Sequence, residues 1–230
     1  PWKILFLPGI LINMQTYPAT DHLLNQVTSA QSTYVTGCAP EVLAQIYDMQ
    51  INMCILQRSI APDVRMYAAF LQQEYVDYQL IRRVNIPSVV DVLMGSLPAH
   101  SMRVSFIEDV AMAVDMFSCL FDLDHAGLRL LVLNKTMCPR FHADKVPCRL
   151  VTTYAGKGTE WLDREGIDRS ALGTSEEPIV EHDLIQHLSE GDIALLKGDG
   201  WEGNEGSGVI HRSPYLNDNE TRLLLTLDFV

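Results

Sequence analysis

Apolar residues in the first half of the chain recur at steps of three and four, which is the hydrophobic period of helices. The spacing predicts four helices. The first two begin near Pro40 and Pro62, because proline is favoured at the first helical position, and a shorter third helix follows Pro87. The apolar stripes of the first two helices contain Val42, Ile46, Met49, Met53 and Leu56, and then Val64, Tyr67, Leu71, Tyr75 and Ile81.

The fourth helix has the clearest signal. Ser105 and Glu108 have the spacing of a capping box, and Gly127 stands where a C-cap belongs. After Gly127 the pattern changes to short β-rich runs separated by Gly, Pro, Asn and Asp, which is typical of an antiparallel sandwich or barrel. The predicted strands are Leu128–Thr136, Cys148–Tyr154, Asp192–Lys197, Val209–His211 and Arg222–Phe229.

These two patterns predict an α+β fold in which residues 1–127 form a mainly helical scaffold and residues 128–230 form a β domain. A polar, acidic stretch at about 162–190 interrupts the β pattern, and we interpret it as a surface excursion or lid. The apolar run Ile4–Ile12 is too short to span a bilayer as a helix. It is interpreted as a buried strand or a packing segment, so no membrane association is expected.

The charge balance narrows the functional classes. The chain has 230 residues with 17 Lys and Arg against 29 Asp and Glu, a formal net charge of −12. Long nucleic acid is therefore an unfavourable partner, because binding phosphates without sequence preference requires a surplus of cationic side chains. The five cysteines show no disulfide spacing, which favours a reducing, cytoplasmic location.

The first candidate chemistry is the pair His142 and Asp144. Their spacing places both side chains on one face of an extended strand, and His211 precedes another β-run near the C-terminus. Two histidines and one carboxylate on one face of a divalent metal leave positions open for substrate and oxygen, as in non-haem iron(II) oxygenases. Alone, the pattern His-x-Asp is weak, and a histidine simply paired with a nearby aspartate explains it as well.

Arg222 strengthens the signal, because it heads an apolar strand eleven residues after His211. The two-residue period of a strand places Arg222, Thr226 and Asp228 on one face. A guanidinium can hold a carboxylate through two hydrogen bonds, and the hydroxyl of Thr226 can add a third. This chemistry suits the distal carboxylate of 2-oxoglutarate, for which Tyr154 is a further candidate donor.

The same residues carry a family resemblance. The order His142-x-Asp144, the glycine-led apolar strand Gly191–Leu196, His211 and then Arg222 is similar to the double-stranded β-helix of the iron(II)/2-oxoglutarate-dependent dioxygenases. The chain more closely resembles an uncharacterised bacterial family described as a domain of unknown function. This resemblance covers roughly residues 128–230. The segments that carry this match are Cys138–His142, Cys148–Tyr154, Gly158–Trp161 and Gly203–Gly206.

The resemblance implies a jelly-roll, cupin-like domain in which His142, Asp144 and His211 bind iron(II) and Arg222 anchors 2-oxoglutarate. It implies an oxygenase of the hydroxylase or demethylase type and gives no primary substrate. The glycine-rich stretch Gly198–Gly208 is expected to form a turn beside the cavity, where Trp201 and Asn204 face the ligand; a plain hairpin loop is equally compatible with it.

Two alternatives share the same metal site. One is a non-catalytic zinc protein for metal storage, sensing or delivery, in which Cys138 is an additional soft ligand. The other is a cupin-like isomerase or lyase that uses its metal as a Lewis acid. Cys148 is expected to be a small buried side chain, since free cysteines usually are.

Overall fold

In the computed structural model, the described residues are 32–163, 169–172 and 182–230. The fold is a mixed α+β fold, as the sequence predicts. A 3₁₀ helix, Pro40–Tyr47, is followed by three α-helices: α1 (Pro62–Glu74), α2 (Val89–Ser96) and α3 (Arg103–Leu120). Among the described helices, none combines the length and the apolar character that a bilayer crossing needs.

Ten strands within the described residues form two sheets. The seven-stranded sheet has the order β1-β2-β8-β5-β10-β4-β3, and the three-stranded sheet has the order β7-β6-β9. Only the β1–β2 pair is parallel among these strand pairs. The strands are β1 (Tyr34–Gly37), β2 (Met53–Leu56), β3 (Gln79–Val84), β4 (Ala126–Leu133), β5 (Cys148–Ala155), β6 (Glu160–Leu162), β7 (Ile185–His187), β8 (Ile193–Lys197), β9 (Ile210–Arg212) and β10 (Arg222–Phe229).

From β4 onward the chain passes back and forth between the sheets. After β4 in the large sheet, His142 pairs with His211 of β9 in the small sheet, and the chain returns as β5. The strands β6 and β7 belong to the small sheet, β8 to the large sheet, β9 to the small sheet and β10 to the large sheet. This path stacks the small sheet on the middle of the large one.

The large sheet has two differently packed faces. One face and the helices form the main apolar core, which includes Leu225 of β10 and Phe117 of α3. The other face packs with the small sheet around a smaller apolar cluster that includes Trp161 and Leu224. Because side chains alternate along a strand, each strand of the large sheet contributes to both sides. The side chains that line the space between the sheets are therefore different from those that form the helix-facing core.

The helical prediction for the first half is only partly correct. The predicted first helix continued to Leu56, but Met53–Leu56 is the strand β2, with all four residues buried. A short, continuously apolar run fits a buried strand as well as a helix, and its two neighbouring strands decide the outcome. The predicted second helix ends at Glu74, and Ile81 belongs to β3. The helix predicted after Pro87 is confirmed as α2.

The boundaries predicted for the fourth helix are wrong. It begins at Arg103, so Ser105 lies inside its first turn, and its N-cap residue Met102 makes no side-chain capping bond. Gly127 is not a C-cap, because the helix ends at Leu120 and Gly127 is part of β4. The five predicted strands are confirmed with small shifts at their ends, and β1, β2, β3, β6 and β7 were not predicted.

The two predicted segments share one sheet, since β2 and β3 come from the first 127 residues and pair with β8 and β4. The edge strand β1 pairs with β2. The division at residue 127 stays a prediction. The run Ile4–Ile12 and most of the acidic stretch at 162–190 lie outside the described residues.

Candidate metal centre

The small sheet brings the three predicted metal ligands together. The backbone N–H of His142 donates to the carbonyl of His211 at 3.1 Å, and the N–H of His211 donates back at 2.9 Å. This reciprocal pair fixes the two histidines opposite each other. Two residues later, the carbonyl of Asp144 accepts a hydrogen bond from the N–H of Asp199 at 2.7 Å, so the loop after β8 holds the carboxylate-bearing segment.

The geometry of the three side chains suits a single ion. One candidate ligand atom from each of His142, Asp144 and His211 lies within 4.8 Å of the others. The Nε2 atom of His211 is 3.5 Å from Oδ2 of Asp144, and Nε2 of His142 is 3.7 Å from Oδ1 of the same carboxylate. Two imidazoles and one carboxylate thus converge on one point, as metal coordination requires.

Backbone carbonyls select the tautomer of both histidines. Nδ1 of His142 lies 2.9 Å from the carbonyl of Arg140, and Nδ1 of His211 lies 3.0 Å from the carbonyl of Val209. A carbonyl only accepts, so each Nδ1 carries the proton and each Nε2 keeps its lone pair toward the centre. Burial lowers the pKa of His211 to about 4, against the opposing charge of Asp144, so this ring is neutral at neutral pH.

Asp144 is held by two linked ion pairs, Asp144–Arg149 and Arg149–Asp228. Nη1 of Arg149 donates to Oδ2 of Asp144 at 2.6 Å. The same guanidinium donates from Nε and Nη2 to the two carboxylate oxygens of Asp228, at 2.7 and 3.1 Å. Because Arg149 stands on β5 and Asp228 on the adjacent strand β10, the large sheet fixes the orientation of a carboxylate that belongs to the metal cluster.

A cavity of about 430 Å³, partly open to solvent, adjoins this cluster. Its lining includes His142 and His211, and it also includes Arg222 and Thr226 of β10. The prediction that Arg222 and Thr226 share a face and reach one cavity is therefore confirmed. Arg222 is 1% exposed, which makes it one of the largest fully buried side chains in the described part of the chain.

The guanidinium of Arg222 is positioned by hydroxyls. It donates to Oγ1 of Thr153 from Nε and Nη2, at 3.2 and 2.9 Å, and to Oγ1 of Thr159 at 2.7 Å. Within the described residues it forms no ion pair. Burial lowers the pKa of Arg222 to about 10, partly offset by the charge of Glu160, and the side chain stays cationic at neutral pH.

Tyr154 does not reach this cavity, so its predicted role as a co-substrate donor is not supported by its position. It faces the helices, where its hydroxyl donates to Oδ1 of Asp109 at 2.7 Å. The strand period explains the error, because Arg149, Val151 and Thr153 face the cavity while the even-numbered residues of β5 face the helices. The neighbouring Thr153 instead accepts hydrogen bonds from Arg222.

The thiol and glycine predictions have mixed outcomes. Cys138 lines the cavity but is not part of the cluster of candidate metal ligands among the described residues. Cys148 is fully buried, as expected.

The glycine-rich turn does adjoin the centre, since a Cβ added at Gly198 would lie 2.6 Å from the carbonyl oxygen of Asp144. Trp201 and Asn204 do not face a ligand: Trp201 packs on Tyr47 and Phe121, and Asn204 donates to the carbonyl of Gly198.

Sequence reasoning missed four polar residues around the site: Arg149, Asp228, Thr153 and Thr159. For Asp228 a signal was available, because it shares the period-two face of Arg222 and Thr226. For Thr159 there was none, since it lies outside any predicted strand and meets Arg222 only through the fold.

Several solved structures resemble this chain at low sequence identity. One is the full-length Neurospora crassa protein crystallised in complex with alpha-KG, at 11% identity and a TM-score of 0.47, covering 81% of this chain and 78% of that one. A Pseudomonas putida prolyl-4-hydroxylase has 12% identity and a TM-score of 0.42, with coverage of 83% and 97%. A Burkholderia pseudomallei oxidoreductase of the 2OG-Fe(II) oxygenase family has 11% identity and a TM-score of 0.43, with coverage of 86% and 94%.

Among curated proteins, none matches this chain. One family model does match, over residues 37–228, which is most of the chain and includes every residue of the candidate centre. The chain therefore belongs to the DUF1826 family, whose description is a protein of unknown function.

Proposed function

We propose that this protein is an iron(II)/2-oxoglutarate-dependent oxygenase of the hydroxylase or demethylase type. The observation that carries the proposal is one cavity that adjoins two complementary groups. His142, Asp144 and His211 converge beside it, and Arg222, which lines it, is buried and cationic without a carboxylate partner in the described chain. A buried charge of this kind favours an anionic ligand that enters the cavity.

The path of the chain supports the proposal. Between β4 and β10 the chain crosses repeatedly between two stacked antiparallel sheets, which is the connectivity we interpret as a double-stranded β-helix. In this interpretation, His142 and His211 lie on paired segments of the small sheet and Arg222 begins the last strand of the large sheet. Each proposed role thus falls on a separate, rigid element.

The donor set supports iron(II) as the metal. Two imidazoles and one carboxylate fit the facial arrangement of non-haem iron, and no thiolate stands among the clustered candidate ligands of the described chain. When bound, iron(II) with 2-oxoglutarate would supply the activation of oxygen. The protein's part is to direct both Nε2 atoms to the ion, by holding each Nδ1 at the carbonyl of Arg140 or Val209, and to orient Asp144 through Arg149.

Arg222 is the proposed anchor for the distal carboxylate of 2-oxoglutarate. Nε and Nη2 of its guanidinium already donate to Thr153 and Thr159, so within the described residues the Nη1 amino group is the donor left for that carboxylate. Thr153 and Thr159 hold the guanidinium in place, and Thr159 and Thr226 line the same cavity. The anchor is therefore oriented before the ligand arrives, which reduces the entropy lost on binding.

The test is the turnover of 2-oxoglutarate to succinate in the presence of iron(II), oxygen and a reductant, with no primary substrate added. Slow uncoupled turnover is expected in the wild type, and it is expected to disappear in His211→Ala and to fall sharply in Arg222→Ala. Intact turnover in Arg222→Ala would remove the anchoring role. Turnover that continues without oxygen would favour the isomerase or lyase alternative.

The zinc-protein alternative predicts a different result. A protein that handles zinc would retain that metal tightly and show no affinity for 2-oxoglutarate. A buried, cationic Arg222 that lines the cavity has no purpose in that alternative, and this is why we rank it second. The form of this alternative in which a thiol binds the zinc depends on Cys138, and Cys138 is not among the clustered candidate ligands of the described chain.

The proposal extends to the location of the protein and to the role of its first 127 residues, and it names no primary substrate. All five cysteines are free, which agrees with a reducing, cytoplasmic location. Residues 32–127 supply the helices that cover one face of the large sheet, and we propose that they act as its scaffold.

A further inference from the structure

The strand β3 is one edge of the large sheet. It pairs with β4 on one side and, among the described residues, with no strand on the other. The N–H of Val132 donates to the carbonyl of Tyr78 at 2.9 Å. Because backbone groups alternate sides in an antiparallel ladder, the even-numbered residues of β3 bond to β4, and the backbone groups of Gln79, Ile81 and Arg83 point outward.

Most of these outward groups are unpaired. Nη1 of Arg82 donates to the carbonyl of Ile81 at 2.8 Å. The N–H groups of Gln79, Ile81 and Arg83 make no hydrogen bond within the described residues, and neither do the carbonyls of Gln79 and Arg83. The edge therefore offers a row of donors and acceptors to which another strand can bond.

The side chains along this edge are positively charged. Arg82 and Arg83 of β3 and Arg129 of β4 are exposed, and none of them forms an ion pair in the described part of the chain. Even Asp77 and Asp91, which flank β3 in the sequence, do not pair with them. The whole chain has a formal net charge of −12, so this is a basic surface on an acidic protein. We call β3 together with Arg129 the β3 edge.

The two faces of the β3 edge differ. On the cavity face, Arg129 stands opposite Ile81 in the β3–β4 pair, and Arg83 lies two residues further along β3 on the same face. On the helix face, α2 contacts β3 and exposes Val90 and Met94, whose spacing of four places them on one side of the helix. The edge thus offers positive charge on one face and apolar surface on the other.

The sign of the charges selects the partner. Charged side chains at an open strand edge normally prevent pairing with other chains. At the β3 edge all three charges are positive, so they oppose a basic strand. They also oppose a second copy of β3, because that copy would bring two more arginines to the same edge. An acidic strand is the partner that these charges attract.

We propose that the β3 edge binds an acidic, amphipathic segment of a partner protein, which adds to the seven-stranded sheet as one further strand. Acidic side chains on the cavity face would pair with Arg83 and Arg129, and apolar side chains on the other face would pack beside α2. The backbone of the segment would bond to the outward groups of β3.

The bound segment would lie on the same face as the candidate metal centre. Arg129 also stands opposite Thr226, which lines the cavity beside that centre. Neighbouring strands lie about 5 Å apart, so β3 is roughly 10 Å from β10. The binding claim itself needs neither iron nor 2-oxoglutarate. It can therefore fail while the oxygenase proposal survives, and it can hold if that proposal fails.

The test is the fluorescence anisotropy of a labelled peptide of four Glu-Val repeats, titrated with the full-length protein at low salt. As a strand, this peptide places its glutamates on one face and its valines on the other. One matched peptide has four Lys-Val repeats, which reverses the charge. A second keeps the Glu-Val sequence but carries N-methyl groups on two adjacent central residues, which block both hydrogen-bonding edges of the peptide.

We expect saturable binding of the Glu-Val peptide and none of the Lys-Val peptide. Arg83→Glu should weaken binding about tenfold, the loss of a charge-assisted hydrogen bond, and the N-methylated peptide should bind at least about tenfold more weakly than its parent. Lys135→Glu is the control, because it makes the same charge change at an exposed lysine outside β3 and β4.

A proline tests the backbone of the edge directly. Ile81→Pro should abolish binding, because it removes an outward N–H and leaves the ladder to β4 intact. Ile81→Val, which keeps that N–H, should bind like the wild type. The comparison of the three peptides with the wild type holds even if the proline variant does not fold.

Any one of four results would overturn the proposal. The Glu-Val peptide could fail to bind, or the Lys-Val peptide could bind equally well. Equal binding of the N-methylated peptide would show attraction between charges without an added strand. A dimer in sedimentation that Ile81→Pro dissociates would show that a second copy of this chain occupies the edge.

Discussion

The two faces of β10 contrast sharply. On the helix side, Leu223, Leu225 and Leu227 are completely buried in the main apolar core. On the side of the small sheet, Arg222, Thr226 and Asp228 are also nearly buried, yet each is polar. One strand thus places apolar packing on one side and almost all of its polar chemistry on the other.

This contrast separates stability from function. Burying leucine lowers the free energy of the folded state, whereas burying Arg222 without a carboxylate raises it, because the desolvated charge is not compensated by an opposite one. Proteins commonly accept such a cost at binding sites. Changes on the helix side should therefore reduce stability and leave binding unchanged, and changes on the other side should do the reverse.

The largest effect is expected for Leu225→Ala on the helix side. Leu225 is 0% exposed, and deleting a buried leucine side chain costs about 2–5 kcal/mol of unfolding free energy. Urea denaturation measures this loss, with the exposed Val104→Ala as the control that changes little. If the folded Leu225→Ala protein also lost its affinity for 2-oxoglutarate, the two faces would not be separable.

Arg222→Met is the opposite case. It should weaken 2-oxoglutarate binding by about 100-fold, since charge-assisted hydrogen bonds are worth roughly 1.5–3 kcal/mol each. It should not lower the stability of the ligand-free protein, because an uncompensated buried charge is removed. Calorimetric titration and urea denaturation measure the two quantities, and the exposed Arg82→Met is the control. A clear loss of stability would show that Arg222 has a structural role.

Asp228→Asn tests the carboxylate at the far end of the same polar face. Losing its charge should loosen Arg149 and therefore Asp144, with a fall in metal affinity of about 10–100-fold, the usual effect of disturbing a group behind a metal ligand. Competition with a chelator for cobalt(II) measures the affinity. The exposed Asp115→Asn on α3 removes the same charge elsewhere. An unchanged affinity would mean that Asp144 needs no support from β10.

The smallest effect compares two threonines on opposite faces. Thr226→Val should lower the affinity for 2-oxoglutarate about fivefold, because one hydrogen bond from the hydroxyl to the ligand is lost. Thr152 faces the helices, and its hydroxyl has no hydrogen-bond partner among the described residues, so Thr152→Val should leave the affinity unchanged and should slightly stabilise the protein. Calorimetry and thermal unfolding measure both. Equal effects of the two substitutions on affinity would contradict the separation between a ligand-binding face and a helix-packing face.

The period of two made part of this site predictable. It placed Arg222, Thr226 and Asp228 on one face correctly, because a register within one strand needs no knowledge of the fold. On β5 the sequence has no such fixed point, and the prediction of Tyr154 as a donor did not establish which face of the strand it occupies. Only pairing with β10, which aligns Thr152 with Leu225, determines which residues of β5 face the cavity.

Contacts between distant segments were beyond the reach of sequence patterns. Met53–Leu56 reads as the end of a helix until β1 and β8 are known to lie on either side of it. The Arg149 clamp joins residues 144 and 228 without any local spacing that marks them. The three candidate metal ligands could be named from the sequence because histidine and aspartate at these positions carry chemistry that packing residues lack.

The most direct test of the central claim is an anaerobic titration of metal-free protein with iron(II) and then 2-oxoglutarate, followed by visible absorption. We predict a metal-to-ligand charge-transfer band that appears only when both are present, is lost in His211→Ala and is retained in His187→Ala, whose side chain is 62% exposed. The absence of the band in the wild type, together with tight retention of zinc, would contradict the oxygenase proposal and favour a metal-handling protein.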